Sequence, residues 1–234
     1  MGTSSDFPGG KGDEWRDLRR ATTDYAKSGG AGLAERVLGR FVLALGGAGA
    51  AAAASSATVG STQRMAGLAA ALGDGGLGDA LERAGLGHLV GQSRWDVLGA
   101  LIEEVAGAAA GLEEAAVHSA ACRVFEELFP DQDTWEELAA VRLEEQQVVR
   151  LIERFVAECI FGRLAQAIDA RLAARDPQER AKRNRELHDF VGQLVALRLD
   201  DRSVLEIDWR GQEGREVTER LVADVFAQLE DLTS

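Results

Sequence analysis

Residues 134–174 read TWEELAAVRLEEQQVVRLIERFVAECIFGRLAQAIDARLAA. Within this stretch Val141, Val148, Ile152, Phe155, Cys159, Leu164, Ile168 and Leu172 recur at spacings near three and four, with acids and arginines between them. That is the period of one helix face. At its head, Thr134-Trp135-Glu136-Glu137 forms a capping box, in which the threonine oxygen and the third-position carboxylate satisfy each other's backbone donors. Nothing breaks the pattern before Asp176-Pro177, so the spacing predicts one scaffold helix of roughly 60 Å at 1.5 Å per residue. A helix of that length decides the class. The sequence predicts an all-α, multi-helix bundle with one long scaffold helix, a disordered N-terminal tail and at most one short strand or hairpin.

Downstream, a further helix follows Pro177, with Leu187, Phe190, Val191, Leu194, Val195 and Leu197 apolar. Val204 to Trp209, VLEIDW, alternates apolar and acidic residues and is the one strand-like piece; a lone strand needs a partner, so an extended loop is the other reading. The last helix runs from about Glu216 to Leu232. Upstream, Leu112 to Phe129 is helical, with Val117, Cys122, Val124, Phe125 and Leu128 apolar, and Pro130 closes it. Ser93 is an N-cap for a helix that includes Trp95, Leu98, Leu101, Ile102 and Val105. A short helix is expected near Asp79 to Ala84. Gln63 to Leu72 is helical and breaks at Gly73-Asp74-Gly75-Gly76.

Gly46 to Thr62, GGAGAAAAASSATVGST, is low in complexity and fits either a flexible connection or a tightly packed Ala-rich helix. Two helices precede it. One begins near Asp13, buries Trp15, Leu18 and Tyr25, and stops at Ser28-Gly29-Gly30; the other runs from Leu33 to Leu45. Residues 1 to 12, MGTSSDFPGGKG, bury too little surface to order themselves. The expected organisation is a tail over 1–12, an N-terminal helical region over 13–72 containing the segment 46–62, and an acidic helical body over 77–234.

The net charge of −13 is unevenly placed. Residues 1–64 hold eight Lys/Arg against six Asp/Glu, so the remaining 170 residues carry −15. An acidic body repels phosphate backbones, which makes binding of nucleic acid or an anionic membrane by it an unfavourable reading. Arg16, Arg19, Arg20, Lys27, Arg36, Arg40 and Arg64 form the better basic patch, suited to phosphate or to an acidic protein surface. Cys122 and Cys159 lie in apolar helical surroundings and are read as core thiols in a reducing, cytoplasmic compartment. No secretory signal opens the chain, and the uncharged run Phe41 to Gln63 is too rich in Gly, Ala, Ser and Thr to read as a membrane span.

Catalytic constellations are not apparent. His118 and Cys122 share a helix line with Glu114 and Glu126, but zinc wants four ligands from more than one element, and His88 and His188 stand alone. The paired carboxylates, such as Glu103-Glu104 and Glu144-Glu145, fall where amphipathic helices turn to solvent. The basic cluster Arg175, Arg180, Lys182, Arg183 and Arg185 is interrupted by Asp176, Glu179 and Glu186, as at an exposed helix start. Phosphate-binding and hydrolase motifs are missing. No enzyme activity, cofactor or metal is expected.

The N-terminus carries the most specific feature. Met1 precedes Gly2, so methionine removal would expose an unhindered amine followed by the small residues Thr3, Ser4 and Ser5. Asp6 stands where a myristoylation signal wants Ser or Thr.

Met1-Gly2-Thr3-Ser4, the Gly/Ser-rich tail, Arg16-Asp17-Leu18-Arg19-Arg20 through Tyr25-Ala26-Lys27-Ser28-Gly29, and Ser61-Thr62-Gln63-Arg64-Met65 resemble the QatB component of bacterial Qat antiphage defence systems. The resemblance covers about the first 67 residues and continues as a general likeness of the acidic helical body. It implies an adaptor in a four-part module, beside an ATPase, a TatD-like nuclease and a 7-cyano-7-deazaguanine synthase-like protein. Such a synthase adenylates a deazaguanine carboxylate, and the Gly2 amine could capture the acyl adenylate. The rival expectations are a helical scaffold or regulatory subunit without modification, and a nucleic-acid-binding subunit acting through residues 15–64.

Overall fold

The computed structural model describes residues 12–107, 111–172, 176–199 and 202–233. Apart from Gly12, the expected tail lies outside these residues. The described chain forms α1 (Asp13–Ser28), α2 (Ala31–Ala44), α3 (Ala48–Ala53), α4 (Ser56–Asp74), α5 (Leu77–Arg83), α6 (Arg94–Ala106), α7 (Leu112–Leu128), α8 (Trp135–Ala140), α9 (Glu145–Leu172), α10 (Pro177–Leu194) and α11 (Gln212–Asp231), with a 3-10 turn at Gly87–Leu89. The fold is all-α, and no strand occurs among the described residues.

The bundle is built around α9, which packs against α1, α4, α7 and α10. Its middle, residues 155–161, is buried on every side. A helix enclosed all round is a core helix rather than an amphipathic surface one. Val148, Ile152, Phe155, Cys159, Leu164, Ile168 and Leu172 are buried as their spacing predicts.

The scaffold helix is shorter than the sequence suggests. The capping box at Thr134 and Glu137 forms, but it opens only the six-residue α8. Residues 141–144 then leave the helix, with Val141 extended at φ −65° and ψ 129°. Arg142 ties down the freed carbonyls of Ala139 and Val141, and Gln147 reaches back to accept from the Glu144 N–H at 2.7 Å, which restarts the chain as α9. At 28 residues α9 spans about 42 Å.

Gly46 to Thr62 is not a flexible connection. It forms α3 and the first turns of α4, and α4 runs through Gly73 to Asp74 before breaking at Gly75-Gly76, within the glycine run where the break is expected. One N-terminal donor of α4 is satisfied from another helix: Glu113 on α7 accepts from the Thr58 N–H at 2.8 Å and also from its hydroxyl at 2.9 Å. The strand-like VLEIDW is a compact turn. Val204, Ile207 and Trp209 are buried, and Trp209 Nε1 donates to the Val204 carbonyl at 2.9 Å, closing the loop on itself. The last helix starts at Gln212, a turn earlier than the apolar pattern indicates.

Helix α1 turns back as α2 through Gly29, whose φ of +64° favours glycine and whose missing Cβ makes room for the Arg183 guanidinium. Arg183 also lies over the Tyr25 ring, 5.5 Å from its centroid. It is therefore a packed residue and not part of an exposed basic helix start; Arg175 of that cluster lies outside the described residues. Helix α10 itself has a thin apolar footing, with only Leu187 and Val191 fully buried. Its Asp176-Pro177 start is as expected, with the Asp176 carboxylate accepting from Gln178 N–H.

Candidate interaction site

Three polar assemblies join the helices. The first centres on Glu158, whose side chain is 1% exposed on the face of α9 turned to α7 and α10. Arg123 from α7 donates to one carboxylate oxygen at 2.8 Å; Arg154 and His188 lie 3.0 and 2.7 Å from the other. Arg154 also forms a two-point pair with Glu127, and His188 stands edge-on to Phe161 with Asp189 beside its Nδ1. Burial pushes the Glu158 carboxyl upward, but the hydrogen bonds and charges of His188, Arg123 and Arg154 outweigh it and hold the group below its ordinary value. His188 is raised, chiefly by its hydrogen bond to Glu158. Charge balance here depends on partners from three helices, the condition under which a buried ion is tolerated.

The second assembly is Arg163, 4% exposed, which donates to Ser55 Oγ at 2.6 Å and lies over the Phe226 ring. It links α9 to the α3–α4 junction and α11. The third ties α1 to α10: the Tyr25 hydroxyl donates to Glu186 Oε2 at 2.8 Å and lies 3.1 Å from the Arg183 carbonyl oxygen. Neither Glu158 nor Arg163 is marked by the periodicity, which treats both as solvent-side residues between apolar positions.

The Ser61-Thr62-Gln63-Arg64-Met65 motif is a clasp on α4. Met65 is fully buried; Arg64 Nε donates to the Val105 carbonyl at 3.0 Å and its Nη2 to Ser61 Oγ at 2.9 Å. Gln63 Nε2 reaches the carbonyls of Trp209 and Gly211 at 3.3 and 3.4 Å. One motif thus holds the end of α6 and the 204–211 turn against one helix.

A groove runs over the outer face of this clasp. It begins as a cleft of about 380 Å³ lined by Ala52, Ala53, Val59, Gly60 and Ala223. Gly60 and Gln63 carry it into a section of about 280 Å³ with Arg64, Trp209 and Arg210. Those last three residues also line a third cleft of about 340 Å³, which extends to Gly67, Leu68 and Arg83. Ser56, Gly60, Gln63 and Gly67 are spaced along one helix face, so the floor is one side of α4.

Other sequence candidates fare differently. Gly2, Thr3, Ser4 and Ser5 lie outside the described residues. Cys159 is fully buried, but Cys122 is only half-buried, with its Sγ 3.7 Å from His118 Nδ1. Burial, with Glu126 nearby, raises the Cys122 thiol. No group of three or more His, Cys, Asp or Glu among the described residues is arranged to hold a metal ion. A chelator should therefore leave the melting temperature unchanged; a fall of several degrees would reveal a structural metal. Of the N-terminal basic residues, Arg16 pairs with Asp13 and Arg40 with Asp17, while Arg64 lies in the α4 groove. Trp95, expected on an apolar face, is 76% exposed with Arg94 beside its ring.

The fold and its surface define a helical-bundle protein whose internal charges serve packing and whose concave face is a groove along α4. A family model for QatB, described as Qat anti-phage system associated protein QatB, matches residues 46–229, and the chain belongs to that family. It is a component of an anti-phage system. The matched segment contains the Ser61–Met65 clasp and begins after α2, so the resemblance in residues 1–45 lies outside it. No curated protein and no solved structure matches the chain. No helix among the described residues is long and apolar enough to cross a membrane.

Proposed function

We propose that this protein is the non-catalytic adaptor and substrate subunit of its cytoplasmic defence system, presenting Gly2 to a 7-cyano-7-deazaguanine synthase-like partner. The observation that carries the reading is the run Gly2-Thr3-Ser4-Ser5 behind an easily removed Met1, in a chain that belongs to an anti-phage family. The body supports it indirectly. Its conspicuous buried ionisable groups, Glu158 and Arg163, are engaged in helix packing.

In the reaction proposed, the partner supplies a deazaguanine acyl adenylate. The Gly2 nitrogen attacks the acyl carbon, an amide bond forms, AMP leaves with the bonding electron pair, and the amine's proton passes to solvent. Small side chains at positions 3 to 5 let the arm enter a narrow active site, and nine extended residues reach about 30 Å. An ATPase and a TatD-like nuclease are the other partners of the module.

Intact mass of the protein co-expressed with its genomic neighbours tests this directly. The expected result is the mass after methionine removal plus one deazaguanine acyl group, lost in Gly2→Leu, which retains Met1 and crowds the amine. Defence should fail in the same variant while its helical spectrum persists. Full protection by Gly2→Leu, or an unmodified wild-type mass, would replace this reading with that of a plain helical scaffold.

A further inference from the structure

The groove on α4 has two chemically distinct parts. Ala52, Ala53, Val59 and Ala223 give its first part an apolar floor wide enough for an aromatic ring, and the Arg215–Glu219 pair at its rim neutralises itself at 2.8 Å. The next part is cationic, lined by Arg64, Trp209 and the exposed Arg210. Gly60 sits at the junction; the nearest atom to a Cβ built there is an Arg64 guanidinium nitrogen at 3.5 Å, so the floor is low because a side chain is missing and not because another has filled it. In a protein of net charge −13, a concave surface that pairs an apolar pocket with arginines selects for an apolar side chain next to a carboxylate.

The chain holds such a pair just ahead of α1, at Asp6-Phe7. The topology brings that end of the chain to the groove. Helices α1 and α2 are antiparallel neighbours, joined at Gly29-Gly30 and bridged by Arg40 to Asp17. The start of α1 therefore lies beside the end of α2, about 8–10 Å across the helix pair, and past the turn at 45–47 α3 adds about 9 Å of helix rise to Ala52 and Ala53 at the apolar mouth of the groove. The six Cα steps from Asp13 back to Phe7 cover about 20–22 Å when extended, comparable with a path of about 17–19 Å made by the α1–α2 spacing and the rise of α3 together.

Chain direction agrees as well. A segment running backward from Asp13 meets the apolar part first and the arginines next, which is the order Phe7 then Asp6.

We propose that the α4 groove is the docking site of the protein's own N-terminal segment, with Phe7 in the alanine-lined cleft and the Asp6 carboxylate against Arg64 and Arg210. Ser5 and Ser4 then continue over Gly67 toward the Arg83 end. The tail has a seat on the body as well as a destination on a partner, and any partner that uses the terminus draws it out of the groove. The docking does not depend on modification of Gly2, so the two can fail separately.

Replacement of Phe7 in the full chain by the photo-crosslinker p-benzoylphenylalanine tests it, with the adduct mapped by mass spectrometry. The expected adduct joins position 7 to residues 52–60 or 219–223 within one chain. Gly60→Leu raises the groove floor at an open, helical position and should abolish that adduct without lowering the melting temperature. Arg210→Glu should reduce its yield about two- to fivefold, the range an exposed ion pair supports, and Asp6→Arg in the same chain should restore it. Adducts elsewhere, no adduct, adducts joining two chains, or a yield indifferent to Gly60→Leu would each overturn the proposal.

Discussion

Replacement of Phe155 by alanine should destabilise the protein by about 3–5 kcal/mol, the range for removing a buried aromatic ring from a packed core. Phe155 is fully buried at the middle of α9, where the helix is enclosed on all sides and neighbouring helices cannot close in from a solvent edge. For a chain of this size each kcal/mol moves the melting temperature by about 2–4 °C, so thermal unfolding should shift down by roughly 6–20 °C. Trp95→Ala is the matched control: it removes a larger ring that is 76% exposed and should change stability by no more than about 0.5 kcal/mol. A small effect at Phe155 would mean that α9 is not the centre of the core.

Glu158→Leu should cost about 2–3 kcal/mol near pH 6, because three cationic groups lose one shared carboxylate. The loss stays below that of a fully buried pair since Arg123 is 54% and Arg154 35% exposed and regain water. The pH dependence has a definite sign. His188 is raised above its ordinary value of 6.5, so its contribution is complete below that value and disappears as pH rises through the raised one. Glu158 is lowered from 4.5, so its contribution is present above that value and disappears as pH falls through the lowered one. Denaturant melts should therefore show the gap between wild type and Glu158→Leu at its widest between about pH 4.5 and 6.5 and narrower at pH 9. A gap that widened toward pH 9 would remove His188 from the network.

Much of the fold is legible in the sequence because local signals and tertiary packing agree. Ser93 caps α6, Asp176-Pro177 opens α10, and the Thr134 box forms where it is read. The break at 141–144 is not legible, since the step from Val141 to Val148 keeps one helix face and Arg142 and Gln147, which hold the break, resemble ordinary helix formers. The Gly/Ala-rich segment stays open in the sequence because its alanines favour a helix and its glycines a connection; the helical choice is supported by capping from Glu113, which no window around residue 58 contains. Alternation in VLEIDW would place Leu205, Ile207 and Trp209 on one strand face, but the turn buries Val204 in place of Leu205, which is exposed.

The candidate site divides in the same way. The clasp residues Gln63 and Arg64 fall within a motif that the sequence singles out, whereas the groove needs Trp209, Arg210 and Ala223 from more than 140 residues away. The burial of Glu158 likewise follows from Arg123 and His188, 35 and 30 positions distant.

The slender footing of α10 has a consequence for how the molecule answers its surroundings. Beside the buried Leu187 and Val191 and the partly buried Phe190 and Leu194, this helix is attached by polar contacts: Arg180 to Asp169 at the surface, and Glu186 and Arg183 to Tyr25 and His188 to Glu158 farther in. Dissolved ions screen the outer pair within a Debye length of about 8 Å at physiological ionic strength but reach the inner ones poorly. Salt therefore loosens the first turns of α10 while its Leu187–Val191 segment stays seated, so the helix peels from its Pro177 end and the rest of the bundle, held by apolar contacts, is left undisturbed.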